Sequence, residues 1–294
     1  MTPAPAEWSV AVDCHNVLGE GPWWDARTAT LLWVDIDGRL VQRYDASSGR
    51  TTTRALDQRI GAVMARASGG LALALEDGIW VADTDLGPAR RLAPIEPDDR
   101  ATRLNDGSCD RAGRLWVGTM ADGARAGAGS LYRVEPDGLV ERVITGVSIS
   151  NGIDWSPDDR RMYYVDSATR RIDVLDYDLA TGSATGRRAL IQLPEDAGLP
   201  DGLTVDAEGY VWVATWDGWA LRRYSPAGEL DRIVRLPVAR PTSCAFGGPD
   251  LADLYVTSAR AGLSASELAE QPLAGALFVV RPGVRGREAT PFGG

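Results

Sequence analysis

Four residues with oxygen-bearing side chains recur at one fixed place in this sequence. Glu20, Asn105, Asn151 and Asp201 each stand five residues before the start of a polar turn, at Asp25, Asp110, Ser156 and Asp206. A glycine follows each closely: Gly21, Gly107, Gly152 and Gly202. Such glycines let a backbone crowd a ligand or take unusual dihedrals. Two carboxylates and two amide oxygens gathered at one point form an oxygen-rich cage for a hard divalent cation. Without a cation, two buried carboxylates close together would repel. Taken singly, Asn-Gly and Asp-Gly are ordinary turn dipeptides. Their shared register is what points to a common site. The same count reaches Ser243 at a fifth place and about Ile60 at a sixth, where the alignment can slip by one.

The elements that position these residues form six repeats. Each has a short apolar strand, a polar turn, and a second strand rich in Trp, Tyr and Val. The second strands fall at 30–35, 71–75, 114–119, 161–166, 210–215 and 253–258. Turns recur every 42 to 50 residues or so, the spacing of a four-stranded blade. Third strands follow, as at 130–134, 171–177 and 220–224, with apolar and polar residues alternating at the period of a strand. Pro136-Asp137-Gly138 and Pro226-Ala227-Gly228 read as hairpin turns into a more polar fourth strand. These features predict an all-β, six-bladed β-propeller around a central channel. The sixth repeat runs out after its third strand, 275–280, while 8–12 has no partner in the first repeat. The N-terminal strand 8–12 is therefore expected to close the last blade and remove an exposed edge. One domain, 8–294, then follows a short disordered tail, 1–7. The best helical candidate is 264–270, inside a loop of the last repeat.

Composition narrows the function. The 294 residues are 24% charged and 44% hydrophobic, the balance of a soluble globular protein. The 33 glycines and 17 prolines suit many short strands joined by tight turns. A net charge of −10 repels nucleic-acid backbones and anionic membranes, so neither is an expected partner. No apolar run is long enough to span a bilayer, and the first residues lack the pattern of a secretory signal. Three separated cysteines, Cys14, Cys109 and Cys244, fit a reduced cytoplasm and read as small buried hydrophobes.

The same residues carry a family resemblance. Leu18-Gly19-Glu20-Gly21-Pro22, Arg103-Leu104-Asn105-Asp106-Gly107, the stretch 113–120, Ser150-Asn151-Gly152, Pro200-Asp201-Gly202 and the stretch 246–251 occur in order over nearly the whole chain. Together they resemble the gluconolactonase family, which includes senescence marker protein 30 (regucalcin) and luciferin-regenerating enzyme. In general form the chain is similar to bacterial sugar lactonases. The resemblance implies a propeller holding one divalent metal, with Glu20, Asn151 and Asp201 as ligands. It implies a sugar lactone contacted by Arg103 and Asn105, with Asn105 near the metal. Some members carry a Glu in the substrate pocket; that place falls here on Asp122, one methylene shorter. Calcium is the first choice of metal, with manganese, magnesium, iron(II) and zinc open, since oxygen sites accept several. Pentonolactone, hexonolactone and modified hexonolactone remain open as substrates, as do a monomer and a small homo-oligomer.

Lactone hydrolysis needs a polarised carbonyl, an activated water and a stabilised oxyanion. A bound cation supplies the first and third. Asp201 is the expected general base, and Glu20 a pure ligand. Arg103 can give two parallel hydrogen bonds to substrate, or form an ion pair on the rim. An esterase or phosphotriesterase using the same cage is one alternative. A non-catalytic propeller scaffold is another, and it would show an exposed aromatic patch. His15 is the only histidine, which excludes a His/Cys zinc site and leaves a Ser-His-Asp triad without support. The Gly-rich run 123–129 precedes a strand and reads as a flexible loop near the channel mouth. Trp24, Trp216 and Trp219 read as blade packing, with one available to line a sugar site.

Overall fold

A computed structural model describes residues 8–85 and 87–294; the expected tail, 1–7, lies outside them. Six four-stranded antiparallel sheets make a six-bladed β-propeller. The innermost strands are Gly19–Asp25, Ile60–Ala65, Thr102–Cys109, Ser150–Trp155, Leu199–Val205 and Pro241–Gly247, for blades 1 to 6. Burial falls from the axis outward. Ile60–Ala65 is buried throughout, whereas the outer strands Arg50–Ala55 and Leu230–Arg235 are mostly exposed. The sequence encodes this gradient directly: apolar runs near the axis, alternating residues outside.

Packing between blades relies on aromatic second strands. Trp33, Trp116 and Trp212 are fully buried at related places in blades 1, 3 and 5. A buried indole needs an acceptor for its N–H. Trp116 and Trp212 donate to Asp110 and Asp206, each six residues earlier, at 3.2 and 2.9 Å. Trp33 donates to Asn16 Oδ1 at 3.0 Å.

The ring closes as expected. Trp8–Val12 pairs with Leu277–Val280 in blade 6, and Trp8 packs edge-on against Phe278. The predicted helix is present at Ala265–Glu270, started by a capping box between Ser264 and Glu267. Among the described residues no helix is long and apolar enough to cross a membrane.

The C-terminal segment has a role that the repeats do not announce. Residues 281–294 run across the face where the inner strands end. Gly286 N–H donates to Leu251 O in blade 6, and Ala207 N–H of blade 5 donates to Arg285 O. Arg287 donates to Asp154 Oδ1 and Trp155 O in blade 4, at 3.0 and 2.6 Å. Phe292 N–H donates to Ala65 O in blade 2, and Gly293 N–H to Gly113 O in blade 3. Phe292 is fully buried. The segment thus straps five blades together and helps line that mouth of the channel with Arg287 and Thr290.

Candidate functional site

Each inner strand slips register against its second strand at the same level. The shifts fall between Glu20 and Trp23, Ile60 and Ala62, Leu104 and Gly107, Ser150 and Ile153, Pro200 and Leu203, and Pro241 and Ser243. A bulge re-aims side chains that a regular ladder would point into the sheet. Here six bulges form a ring, and Asn105, Asn151 and Asp201 lie inside theirs while Glu20 sits at the edge of its own. In blades 2 and 6 the bulges fall on Gly61 and Thr242. A methyl at Gly61 would collide with Asn105 O, so this blade offers backbone where others offer donors. The Thr242 hydroxyl is engaged by Gly19 O and Thr257. That is why four blades supply donors and two do not.

Glu20, Arg103, Asn105, Asn151 and Asp201 line one cavity of about 190 Å³. All five are buried. Asp122 is not among its lining residues. Its carboxylate, half exposed, makes a two-point ion pair with Arg59 at 2.8 and 3.1 Å, and Arg59 also holds Glu76 at 2.6 Å. Of the three tryptophans, Trp216 lines the cavity, Trp24 stacks on Tyr255 in the core, and Trp219 is exposed.

The two acids are held in a costly state. The Glu20 carboxyl is pushed well above its ordinary value by burial, then by Asp201 and Asp106. Burial and Asp106 push Asp201 up likewise. Among the described residues neither carboxylate is salt-bridged. Glu20 accepts from Gly21 N–H at 2.9 Å, and Asp201 from Gly202 N–H. Asp106, half-buried, is pushed up to about 6 by burial. Two mutually repelling acids with amide oxygens beside them suit a hard divalent cation. Among the described residues no three His, Cys, Asp or Glu side chains gather as a metal cluster. The candidate set reaches three donors through the Asn151 amide.

A chain of hydrogen bonds sets how the amides face. Arg103 Nη1 donates to Asn105 Oδ1 at 2.6 Å; Asn105 Nδ2 donates to Asn151 Oδ1 at 2.8 Å; Asn151 Nδ2 donates to Ser167 Oγ at 2.7 Å. A guanidinium can only donate. It therefore fixes Asn105 with oxygen toward it, and that fixes Asn151 in turn. Asn151 Oδ1 keeps a second lone pair free. Burial and nearby Arg59 pull the Arg103 guanidinium below its ordinary value.

The family model described as "SMP-30/Gluconolactonase/LRE-like region" matches residues 18–260. The chain belongs to this family. It is 39% identical to regucalcin of Xenopus laevis over 297 aligned positions, covering 97% of this chain and 99% of that one. A luciferin-regenerating enzyme is similar in structure, with a TM-score of 0.93 and 33% identity over 98% of this chain and 99% of that one. So is regucalcin of Agrobacterium tumefaciens, described as a calcium-binding protein, with a TM-score of 0.93 and 34% identity over 98% and 97%.

Within the framework of this SMP-30/gluconolactonase fold, several residues that hold the site were not singled out from sequence. Asp35 accepts from Val17 and Leu18 N–H at 2.8 and 2.9 Å, and so clamps the loop entering the Glu20 strand. Asp166 does the same for Ser148 and Ile149 at 3.1 and 3.0 Å, before Asn151. The signal was present, since both second strands end in Asp. Asp106 sits in the stretch 103–107, where its neighbour Asn105 holds the register position. Ser167 carries no motif at all. The cysteines are free, and burial holds the Cys109 and Cys244 thiols well above their ordinary values, as expected of inert core residues. His15 is exposed, 3.5 Å from Asp13.

Proposed function

We propose that this protein hydrolyses the lactone of a sugar acid to the open hydroxy acid, with one divalent cation held by Glu20, Asn151 and Asp201. The observation that carries the reading is the pair of buried, unpaired acids, Glu20 and Asp201, facing one cavity beside an ordered amide chain. Asp110 and Asp206, which hold blades together, are each paired with an arginine; these two are not. The family description and the calcium-binding relative support the activity and make calcium the first metal to test. When bound, the cation draws electron density from the lactone carbonyl and offsets the two acids, leaving them near neutral together.

The side chains supply the rest. Asp201 takes a proton from the water that attacks the carbonyl carbon. The ring C–O bond then breaks, and the departing ring oxygen takes that proton. An Asp carboxylate within reach of that water is the natural acceptor for its proton. Glu20 holds charge at the floor. Arg103, buried beside Asn105, donates to the substrate oxygens that enter the cavity. Asn105 stays oriented by Arg103 and keeps Asn151 oxygen-first. Asp122, drawn to Arg59 by their ion pair, acts from the rim through its charge on Arg103.

The test is a panel of aldonolactones with calcium, manganese, magnesium, iron(II) and zinc, with spontaneous opening subtracted. Turnover by wild type and its loss in Asp201→Asn and Glu20→Gln support the reading. Wild-type rates in both variants after metal stripping would sink it.

A further inference from the structure

The cavity is lined by two unlike sets of side chains, polar and apolar. Leu18, Ile149 and Leu199 stand two residues before Glu20, Asn151 and Asp201, where the chain enters each inner strand. All three line the same cavity as those donors. Ile36, Met120 and Trp216 complete the lining, so a collar of six apolar side chains sits with the polar floor. Backbone contacts knit the collar together. Ile36 N–H donates to Leu18 O, Met120 bridges to Ile149, and Leu199 pairs with Trp216.

Leu18 and Ile36 also pack in the core, but the other four are not explained by it. Met120, Ile149, Leu199 and Trp216 belong to none of the six clusters of buried apolar residues. Each is half-buried and keeps surface toward the cavity. Arg240 covers a face of Trp216 at 4.7 Å and, held by Asp217, steadies the indole. Asp122, two residues after Met120, is turned to Arg59. Outward hydroxyls of a polyol would therefore meet aliphatic carbon at most points around the collar, and a buried hydroxyl without a partner is disfavoured.

We infer that the cavity takes a further substrate class: lactones that carry an apolar alkyl substituent, with the ring carbonyl at the floor and the alkyl chain against the collar. The inference rests on the lactone-hydrolase reading above and extends it. The bonds change as in that reaction. Water adds at the carbonyl carbon, the ring C–O bond breaks, and the ring oxygen ends protonated, giving a hydroxy acid with its alkyl chain intact.

The experiment compares kcat/KM of the metal-loaded protein for unsubstituted δ-valerolactone and its methyl, propyl and pentyl homologues, with glucono-δ-lactone alongside and spontaneous opening subtracted. Each buried methylene is worth about fourfold, so kcat/KM rises roughly tenfold or more from methyl to propyl. In Leu199→Asn, and in Ile149→Asn on a different blade, the rise flattens while the melting curve stays that of a folded protein. A flat alkyl series beside good turnover of glucono-δ-lactone overturns this inference and leaves the sugar-lactone reading standing. A steep series unchanged in both folded variants also overturns it, because the chain would then bind elsewhere. No turnover of any lactone above the spontaneous rate removes the parent reading, and this inference with it.

Discussion

Asp201 and Asp206 lie on and just after one inner strand, five residues apart, and live in opposite environments. Asp206 is fully buried and saturated. It accepts from Arg223 Nε and Nη2 at 2.9 and 2.7 Å, from Trp212 Nε1 at 2.9 Å, and from the N–H groups of Glu208 and Tyr210. Asp110 repeats this in blade 3, with Arg114, Trp116 and Tyr177. Asp201 is as deeply placed and has a neighbouring backbone N–H where Asp206 has a guanidinium. On the proposed reading, the difference separates an acid that holds blades together from one left for a ligand. A buried charge without a partner is disfavoured unless something else supplies the counter-charge.

The comparison breaks or holds on four measurements. The largest expected effect is on turnover: Asp201→Asn lowers kcat by ~10² to 10⁴, the range for a lost general base. The same variant, stripped of metal, melts at or above the wild-type temperature at neutral pH, because a repelling charge is gone. A strongly lowered melting temperature would mean that Asp201 is structural after all. Next, Asp206→Asn costs about 1.5–3 kcal/mol in denaturant unfolding, since Arg223 loses its buried partner and keeps only Glu208 and Asp231. Its metal affinity stays near wild type. Equal stability of this variant and wild type would erase the distinction.

The third measurement is pH dependence. Glu20 and Asp201 are raised in the folded state, so in that state they hold protons that the unfolded chain has released. Their contribution to metal-free stability, read as the difference from an Asp201→Asn variant, is therefore greatest at acid pH and falls as pH rises through the raised values. Saturating divalent cation reverses the fall, by about 2.7 kcal/mol at a hundredfold excess over Kd. Calorimetry that shows this contribution rising over that window would contradict the unpaired state of the two acids. The smallest effect is at Ser167→Ala. Removing the last acceptor of the amide chain frees Asn151 to flip and weakens metal binding by about tenfold, the low end for residues that orient ligands. Titration calorimetry reads this directly, and an unchanged Kd would show that Arg103 alone orients the chain.

The sequence by itself determined the repeat register, the inner-strand donors and the closure of blade 6 by Trp8–Val12. Each of these follows from patterns a few residues long, repeated six times: apolar runs, turn residues, and a donor at a constant distance before the turn. The tertiary structure alone decided which donors share a cavity. Bulges are defined by pairing between strands, so the slip that aims Asn105, Asn151 and Asp201 inward, and that lands on Gly61 and Thr242 in the other two blades, has no local signature. Partners far apart in the chain were equally hidden. Asp122 is held by Arg59, 63 residues away, and the C-terminal strap reaches Asp154 through Arg287, 133 residues away. Amide direction came last of all. It is set by a guanidinium that can only donate, and it passes from Arg103 to Ser167 through side chains of two neighbouring blades, which meet only when those blades pack.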